Sequence, residues 1–189
     1  MDARGFVDGL QRDPAYAESV VHVEDLPARD PALEPLPELP DLVRDRLKLL
    51  GIEGLYPHQR RALDALGAGA GVVVSTGTAS GKTLVYNLAF AEAAVTGPKA
   101  TALYLFPTKA LARDQLRQVR ALKLPQIRAA VYDGDTPSAE RPLIRRNANL
   151  VMTNPDMLHA SLLPDHARWA GASECCRRRR VLCRRFGCR

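Results

Sequence analysis

One segment constrains the fold of this 189-residue chain more than any other. The apolar run at residues 71–75 is rich in β-branched valines and predicts a short buried strand. A loop of small residues follows at 76–81, and apolar residues then recur at helical spacing across Lys82–Thr96. A strand, a tight glycine-containing loop and a helix in this order are typical of α/β folds.

The loop between this strand and helix predicts a phosphate-binding site. It comprises Thr76, Gly77, Thr78, Ala79, Ser80, Gly81, Lys82 and Thr83. A helix N-terminus offers unpaired backbone N–H groups and a favourable dipole, and small residues let a phosphate approach them. We expect Lys82 to reach the β- and γ-phosphates of ATP and Thr83 to bind Mg²⁺ through its hydroxyl. Thr76 replaces the first glycine of the general pattern, and a chance Gly-Lys-Thr at a helix start is the alternative.

The remaining pattern predicts an α/β domain with a mainly parallel sheet flanked by helices, because strands and helices alternate. Predicted helices cover 41–50, 57–66 and 109–122, with a helical stretch interrupted by Pro142, and further strands cover 102–106, 129–132 and 149–153. Prolines predict an extended leader at residues 1–40, with one short strand at 20–23. The domain is expected to occupy residues 41–170, and a distinct tail 171–189.

Four further segments resemble motifs of one protein family. They are Leu-Tyr-Pro-His-Gln at 55–59, Pro-Thr-Lys-Ala-Leu-Ala at 107–112, Tyr-Asp-Gly-Asp-Thr at 132–136 and Thr-Asn-Pro-Asp at 153–156. Any one of them alone is a plain turn or helix start. With the phosphate loop and in this order, they resemble superfamily 2 helicases of the DEAD/DEAH-box type, and most of all the YprA-like subgroup. The resemblance covers residues 50–160 and implies an incomplete RecA-like P-loop domain.

The resemblance also implies ligands. Gln59, with Tyr56 beside it, would recognise the adenine of ATP, since an amide both donates and accepts hydrogen bonds. The implied contacts to the nucleic-acid backbone are Pro107, Thr108, Lys109, Gly134, Thr153, Asn154 and Pro155. The implied parent activity is ATP-dependent unwinding or translocation of nucleic acid, with DNA slightly favoured over RNA.

The tail differs from the rest of the chain. Residues 171–189 contain seven Arg and one Glu and so carry the whole net charge of +6, since residues 1–170 contain 20 basic and 20 acidic residues. All four cysteines lie there as well, without the paired spacing or nearby His of a zinc site. One interpretation is a basic arm that binds nucleic acid by neutralising phosphates.

The other interpretation is a frameshift. The family continues with a strand that ends in Asp-Glu, which positions Mg²⁺ and the attacking water, and no Asp-Glu pair occurs in this chain. With suitable codons, a shift of one nucleotide turns residues 177–183 into Val-Val-Asp-Glu-Cys-Tyr. On this hypothesis the tail is out of frame and disordered, and ATP hydrolysis is lost.

Two other functions stay open: a non-catalytic nucleic-acid-binding protein acting through the arginine-rich arm, and a small P-loop kinase or other ATPase. The sequence has no apolar run long enough to cross a membrane and no secretory signal, so we expect a cytoplasmic protein. It gives no indication of oligomeric state.

Overall fold

The computed structural model describes residues 2–24, 32–77, 79–170 and 180–184, and the chain divides into two units, Met1–Pro31 and Ala32–Arg189. The first unit contains helix α1 (Ala3–Arg12) and a 3₁₀ turn (Ala17–Ser19). The predicted extended leader is therefore wrong for α1, because the first proline is Pro14 and the Asp2 carboxylate caps the helix. The strand predicted at 20–23 is absent as well, since residues 21–24 pair with no described strand.

The second unit contains the remaining described elements. Its helices are α2 (Asp41–Leu49), α3 (Pro57–Gly67), α4 (Lys82–Thr96), α5 (Lys109–Ala121), α6 (Arg141–Asn147), α7 (Pro155–Met157) and α8 (His166–Ala170), and a π-helical turn (Leu158–Leu162) follows α7. Its strands are β1 (Glu34–Pro35), β2 (Gly54–Leu55), β3 (Thr101–Leu105), β4 (Ala129–Val131), β5 (Leu150–Thr153) and β6 (Arg180–Arg184). Helices and strands alternate from α4 to β5, as the sequence predicts.

The main sheet has the strand order β4-β5-β3-β6 and is parallel throughout. Leu105 is in register with both Thr153 and Arg184, so the carboxyl ends of three strands meet at one edge. A separate antiparallel pair joins β1 to β2. The α/β class with a mainly parallel sheet is confirmed.

The core lies between this sheet and the helices α4 and α5. Its largest buried side chains include Phe90, Tyr104, Phe106 and Met152. A second cluster joins α2 and the β2 region to the other side of α4 through Val43, Leu47, Leu55 and Leu88. Each such side chain contributes about 1.5–3 kcal/mol of burial free energy, so α4 is fixed from two sides.

Two further expectations need correction. Residues 71–77 form no strand, and Val73 is 95% exposed. An apolar run becomes a strand only where a neighbouring strand pairs with it. No described strand pairs with residues 71–77, and at the end of the sheet β6 pairs, among the described strands, with β3 alone. The tail was predicted to be disordered, but β6 is an ordered strand of the sheet. The other tail residues, including Cys175, Cys176 and Cys188, lie outside the described residues. Among the described helices, none combines the length and apolar character that a bilayer crossing requires.

Candidate functional site

The predicted phosphate loop is attached to the first turn of α3 by two side chains. His58 donates from Nε2 to the carbonyl of Ser80 over 2.9 Å, and Gln59 donates from Nε2 to the carbonyl of Gly81 over 2.9 Å. Pro57 begins α3 at a position where no N–H is needed. The segment predicted to recognise adenine therefore also supports the loop predicted to bind phosphate.

Gln59 fits tightly against the loop. Its Oε1 accepts the backbone N–H of Tyr56 over 2.9 Å, and its side chain is buried. Gly81 has φ +73°, and a Cβ at that position would lie 2.4 Å from Gln59 Nε2. Glycine is thus required at position 81 for its backbone conformation and for space. The Gln59 amide keeps one N–H and one lone pair for a ligand.

Lys82 lies at the start of α4 with its ammonium group turned into the loop. Its Nζ donates to the carbonyls of Thr76, over 2.8 Å, and of Gly77. Two hydroxyl oxygens, Thr76 Oγ1 and Ser80 Oγ, lie 3.2 Å from it. The loop thus gathers oxygen atoms around one positive charge, and a bound phosphate would compete with them for Lys82. Thr76, at the position of the missing glycine, supplies two of these oxygens.

Other loop residues complete the geometry. The hydroxyls of Thr76 and Ser80 are hydrogen-bonded to each other over 2.5 Å. Ala79 is exposed and has φ +57°, and Gly77 is exposed. Thr78 lies outside the described residues.

A cleft of about 530 Å³ opens beside the loop. Its lining includes Tyr56, Gln59, Thr83, Asn87 and Gln118 among apolar side chains. This volume suits a small organic ligand such as a nucleoside. Asn87 is 6% exposed, and its Oδ1 has no hydrogen-bond partner within the described part of the chain. A buried unpaired acceptor is costly, so a donor on a ligand would satisfy it.

Tyr56 lines this cleft and is exposed, and its ring stacks on that of His58 with centroids 5.8 Å apart. The hydroxyl of Thr83 lies 3.3 Å from that of Tyr86. The described residues contain no cluster of three or more His, Cys, Asp or Glu that could hold a metal ion. Mg²⁺ is commonly bound by few protein oxygens together with substrate phosphates, and the single hydroxyl of Thr83 fits that mode.

A second group of predicted residues lies at the carboxyl edge of the sheet. Lys109 begins α5, with three residues between it and the end of β3, and its Nζ donates to Asp135 Oδ1 over 2.6 Å. Arg113, one turn further along α5, donates to Asp135 Oδ2 over 3.0 Å. The hydrogen bond from Lys109, followed by its charge and by Arg113, lowers the pKa of Asp135 below 3.8. Asp135 therefore neutralises part of the positive charge predicted to meet a phosphate.

Asp133 adds a second carboxylate beneath this pair. It is buried, and its Oδ1 accepts the N–H of Asp135 over 2.9 Å. Its Oδ2 makes no hydrogen bond within the described residues and lies 3.9 Å from Arg113 Nη2. Gly134, between the two carboxylates, is exposed, and a Cβ there would lie 3.8 Å from Lys109 Nζ. The structure thus brings Gly134 and Lys109 together.

The other predicted contacts differ in accessibility. Pro107, Thr108 and Pro155 are exposed, and Asn154 is partly exposed. Thr108 and Asn154 cap the helices that follow them, accepting the N–H groups of Leu111 and Met157. Thr153 is 1% exposed, and its hydroxyl donates to the carbonyl of Tyr132 over 2.6 Å. The Thr153 hydroxyl is therefore not accessible to a ligand in this structure.

Three residues at these sites do not stand out in the sequence. His58 lies in the motif at 55–59, but nothing in that motif marks it as a support of the phosphate loop. Asn87 was hidden in the apolar pattern of α4, where a lone polar residue between buried neighbours is the available signal. Asp135 belonged to a quoted motif, but its pairing with Lys109 depends on the order of the strands.

Comparisons with known proteins agree with this geometry. The family model described as DEAD/DEAH box helicase matches residues 56–181. The chain is 39% identical to ATP-dependent helicase HRQ1 of Saccharomyces cerevisiae over 168 residues, covering 86% of this chain and 15% of that protein. It is also 39% identical to the uncharacterized ATP-dependent helicase YprA of Bacillus subtilis, covering 83% of this chain and 22% of the relative.

One similar solved structure is that of the DUF1998 helicase MrfA bound to DNA and AMPPNP, with a TM-score of 0.71 and 40% sequence identity. The match covers 76% of this chain and 21% of that chain. This likeness confirms the RecA-like α/β class, and the YprA match confirms the predicted subgroup. The chain spans between 15% and 22% of the length of these proteins. With the family model matching well over half of its residues, the chain belongs to the DEAD/DEAH box helicase family.

Proposed function

We propose that this chain is the ATP-binding portion of a nucleic-acid helicase or translocase, and that residues 76–83 form its P-loop. The observation that carries the proposal is the position of Lys82. Its ammonium lies at the N-terminus of α4 among several oxygen atoms of the loop. The same loop is held to α3 at two other carbonyls by His58 and Gln59. A phosphate placed there meets a positive charge and the unpaired N–H groups of a helix start. Relatives named as ATP-dependent helicases and a neighbour bound to AMPPNP support the choice of ATP.

The nucleotide base would occupy the cleft beside the loop. Tyr56 borders it, and the remaining N–H and lone pair of the Gln59 amide supply one donor and one acceptor. Asn87 adds a buried acceptor that suits an exocyclic amine. A base with an exocyclic amine, such as adenine, fits these groups. Hypoxanthine carries a carbonyl in place of that amine and would leave Asn87 Oδ1 unpaired.

Mg²⁺ would be held by the Thr83 hydroxyl together with nucleotide phosphates, and it would supply charge neutralisation at the phosphates. Thr83 lies in the first turn of α4, one residue after Lys82. Lys82 would therefore bind phosphate oxygens directly, and Thr83 would orient the ion.

The nucleic-acid backbone would lie along the carboxyl edge of β3, β4 and β5. Thr108, Lys109, Gly134 and Asn154 lie at that edge, where open α/β sheets bind ligands. Lys109 would exchange Asp135 for a phosphate. DNA is the favoured partner, because the similar MrfA structure contains DNA.

We further propose that the chain does not hydrolyse ATP. It contains no Asp-Glu pair, and β6, the last strand of the sheet, contains no acidic residue. An ATPase of this type needs a carboxylate to position the attacking water. The frameshift interpretation of residues 171–189 accounts for that lack and for the concentration of arginine and cysteine in the tail.

Fluorescence anisotropy of labelled single-stranded DNA tests the proposal. The full chain is titrated with and without a non-hydrolysable ATP analogue and Mg²⁺, beside Lys109→Ala and a variant in which the five tail arginines outside β6 (Arg177, Arg178, Arg179, Arg185 and Arg189) are replaced by serine, so that the sheet keeps its strand. Lys109→Ala should weaken DNA binding about tenfold, while the loss of these arginines should change it little. A steady turnover of ATP would refute the loss of hydrolysis.

A second function has one observation in its favour, the net charge of +6 confined to residues 171–189. If the tail is a native basic arm, the same titration gives the reverse pattern. Replacing those five arginines would then remove most of the DNA binding and flatten its salt dependence, and Lys109→Ala would have little effect.

A further inference from the structure

We infer that Leu33, Leu50 and Ile52 form an apolar wall of the nucleotide cleft, against which the base of the nucleotide packs. The inference rests on the proposed function of that cleft and adds residues that lie outside the recognised motifs. All three line the cleft together with Thr83 at the end of the phosphate loop. They also precede residue 56, where the match to the family model begins.

Leu33 is brought to the cleft by the pairing of β1 with β2. Gly54 of β2 is in register with Pro35. A Cβ at Gly54 would lie 3.0 Å from the Glu34 carbonyl oxygen and 3.0 Å from Leu33 Cβ. Glycine therefore permits a close approach of the two strands that a larger residue would oppose. Arg60 on α3 holds β1 in this place, since its Nη1 donates to the Pro35 carbonyl over 2.9 Å.

Leu50 and Ile52 are brought to the same cleft by the C-terminal end of α2. The helix is followed by Gly51 in the left-handed conformation, at φ +71°. Gly51 donates its N–H to the carbonyl of Lys48 over 2.9 Å. Ile52 donates its N–H to the carbonyl of Leu47 over 2.9 Å. These are the two hydrogen bonds of a Schellman motif, which ends a helix in a defined geometry, so the cap determines where Leu50 and Ile52 lie.

The wall exposes apolar surface to solvent. Leu33 is 51% exposed, Leu50 is 45% exposed, and Tyr56, on the same cleft lining, is 40% exposed. Single exposed leucines are ordinary on a protein surface, but several large apolar side chains around one cleft are typical of a ligand site.

A nucleotide base matches this combination of groups. Its hydrogen-bonding atoms lie on its edges, and its flat faces gain from contact with apolar and aromatic side chains. Gln59 and Asn87, which line the same cleft, supply polar atoms for the edges. Leu33, Leu50 and Ile52 supply apolar contact for a face. The wall therefore contributes affinity for the base and none for the phosphates.

The test compares two ligands of the full chain by isothermal titration calorimetry. One is Mg²⁺ with a non-hydrolysable ATP analogue, and the other is Mg²⁺ with tripolyphosphate, which has no base. Leu33→Ser and Leu50→Ser should each weaken binding of the ATP analogue about three- to tenfold, because the base would cover the exposed part of each leucine. The affinity for tripolyphosphate should change by less than about twofold.

Leu49→Ser is the matched control. Leu49 adjoins Leu50, is 74% exposed, and does not belong to the described lining of the cleft. The substitution removes the same side chain from the same end of α2, and it should leave both affinities at their wild-type values. A control that weakens the ATP analogue as much as Leu50→Ser would overturn the wall in favour of a general effect on α2.

The heat-capacity change of binding adds an independent check. Burial of apolar surface makes this quantity negative. For the ATP analogue it should be more negative in the wild type than in Leu33→Ser, and for tripolyphosphate the two proteins should agree. Equal values for the ATP analogue would overturn the contact between Leu33 and the base.

The remaining outcomes distinguish this inference from the proposed function. An affinity for the ATP analogue that both variants retain would overturn the wall and leave the phosphate loop intact. Variants that lose tripolyphosphate as strongly as the ATP analogue would also overturn the wall, because they would act through the loop or the fold. A folded wild type that binds neither ligand would overturn the proposed function and, with it, this inference.

Discussion

Gly81→Ala tests the contact between the phosphate loop and α3. The new Cβ would lie 2.4 Å from Gln59 Nε2, the atom that donates to the Gly81 carbonyl. The left-handed backbone at φ +73° costs a non-glycine residue about 1–2 kcal/mol. Displacing the Gln59 amide loses a hydrogen bond worth about 0.5–1.5 kcal/mol. We therefore expect the free energy of unfolding to fall by about 1.5–3.5 kcal/mol, the sum of these two contributions.

A double-mutant cycle with Gln59→Ala separates the two contributions. The short alanine side chain removes the clash and the hydrogen bond at once, so Gly81→Ala should then cost only the backbone part, about 1–2 kcal/mol. Unfolding by urea, followed by far-ultraviolet circular dichroism, measures all four proteins. Costs that add within about 0.5 kcal/mol would mean that residue 81 and Gln59 act independently, which would overturn this prediction.

Three other predictions concern the carboxyl edge of the sheet. Asp135→Asn should raise the affinity for single-stranded DNA about three- to tenfold at low salt and steepen its salt dependence, because Lys109 and Arg113 become free to bind phosphates. The control is Asp41→Asn, which removes the same charge from the ion pair with Arg44. The pKa of Asp135 in the folded chain is lowered from 3.8. The difference in the free energy of unfolding between the wild type and Asp135→Asn should therefore be constant above pH 3.8 and shrink as the pH falls from there through the folded-state pKa. A difference that grows in acid would contradict this sign. Thr153→Val should destabilise the fold by about 1–3 kcal/mol, since the Tyr132 carbonyl loses its buried donor; a thermal melt unchanged from the wild type would show that this bond contributes nothing.

Local signals explain why much of the fold follows from the sequence. Helix α4 has the predicted bounds, because Gly81 and Gly97 flank an uninterrupted run of helix-forming residues. Strands β3 and β5 follow from short apolar runs bounded by Pro107 and Asn154. Helix α1 was not predicted, because the extended leader was inferred from prolines that lie further along the chain, and residues 3–12 contain no proline.

Features that depend on neighbours could not be predicted in this way. The run at 71–75 has the composition of a strand, but pairing requires an adjacent strand, and composition does not reveal one. Thr153 resembled a phosphate contact, yet all four residues of β5 are buried, so its hydroxyl faces the Tyr132 carbonyl. The ion pair of Lys109 with Asp135 joins residues 26 positions apart, and only the strand order brings them together.

Isothermal titration calorimetry tests whether residues 76–83 bind the phosphates of a nucleotide. Mg²⁺ with a non-hydrolysable ATP analogue is titrated into the full chain and into Lys82→Ala, with circular dichroism confirming that both are folded. We expect one saturable site in the wild type and a loss of affinity of at least tenfold, about 1.4 kcal/mol, in the variant. Equal binding by both proteins, or no binding by a folded wild type, would contradict it.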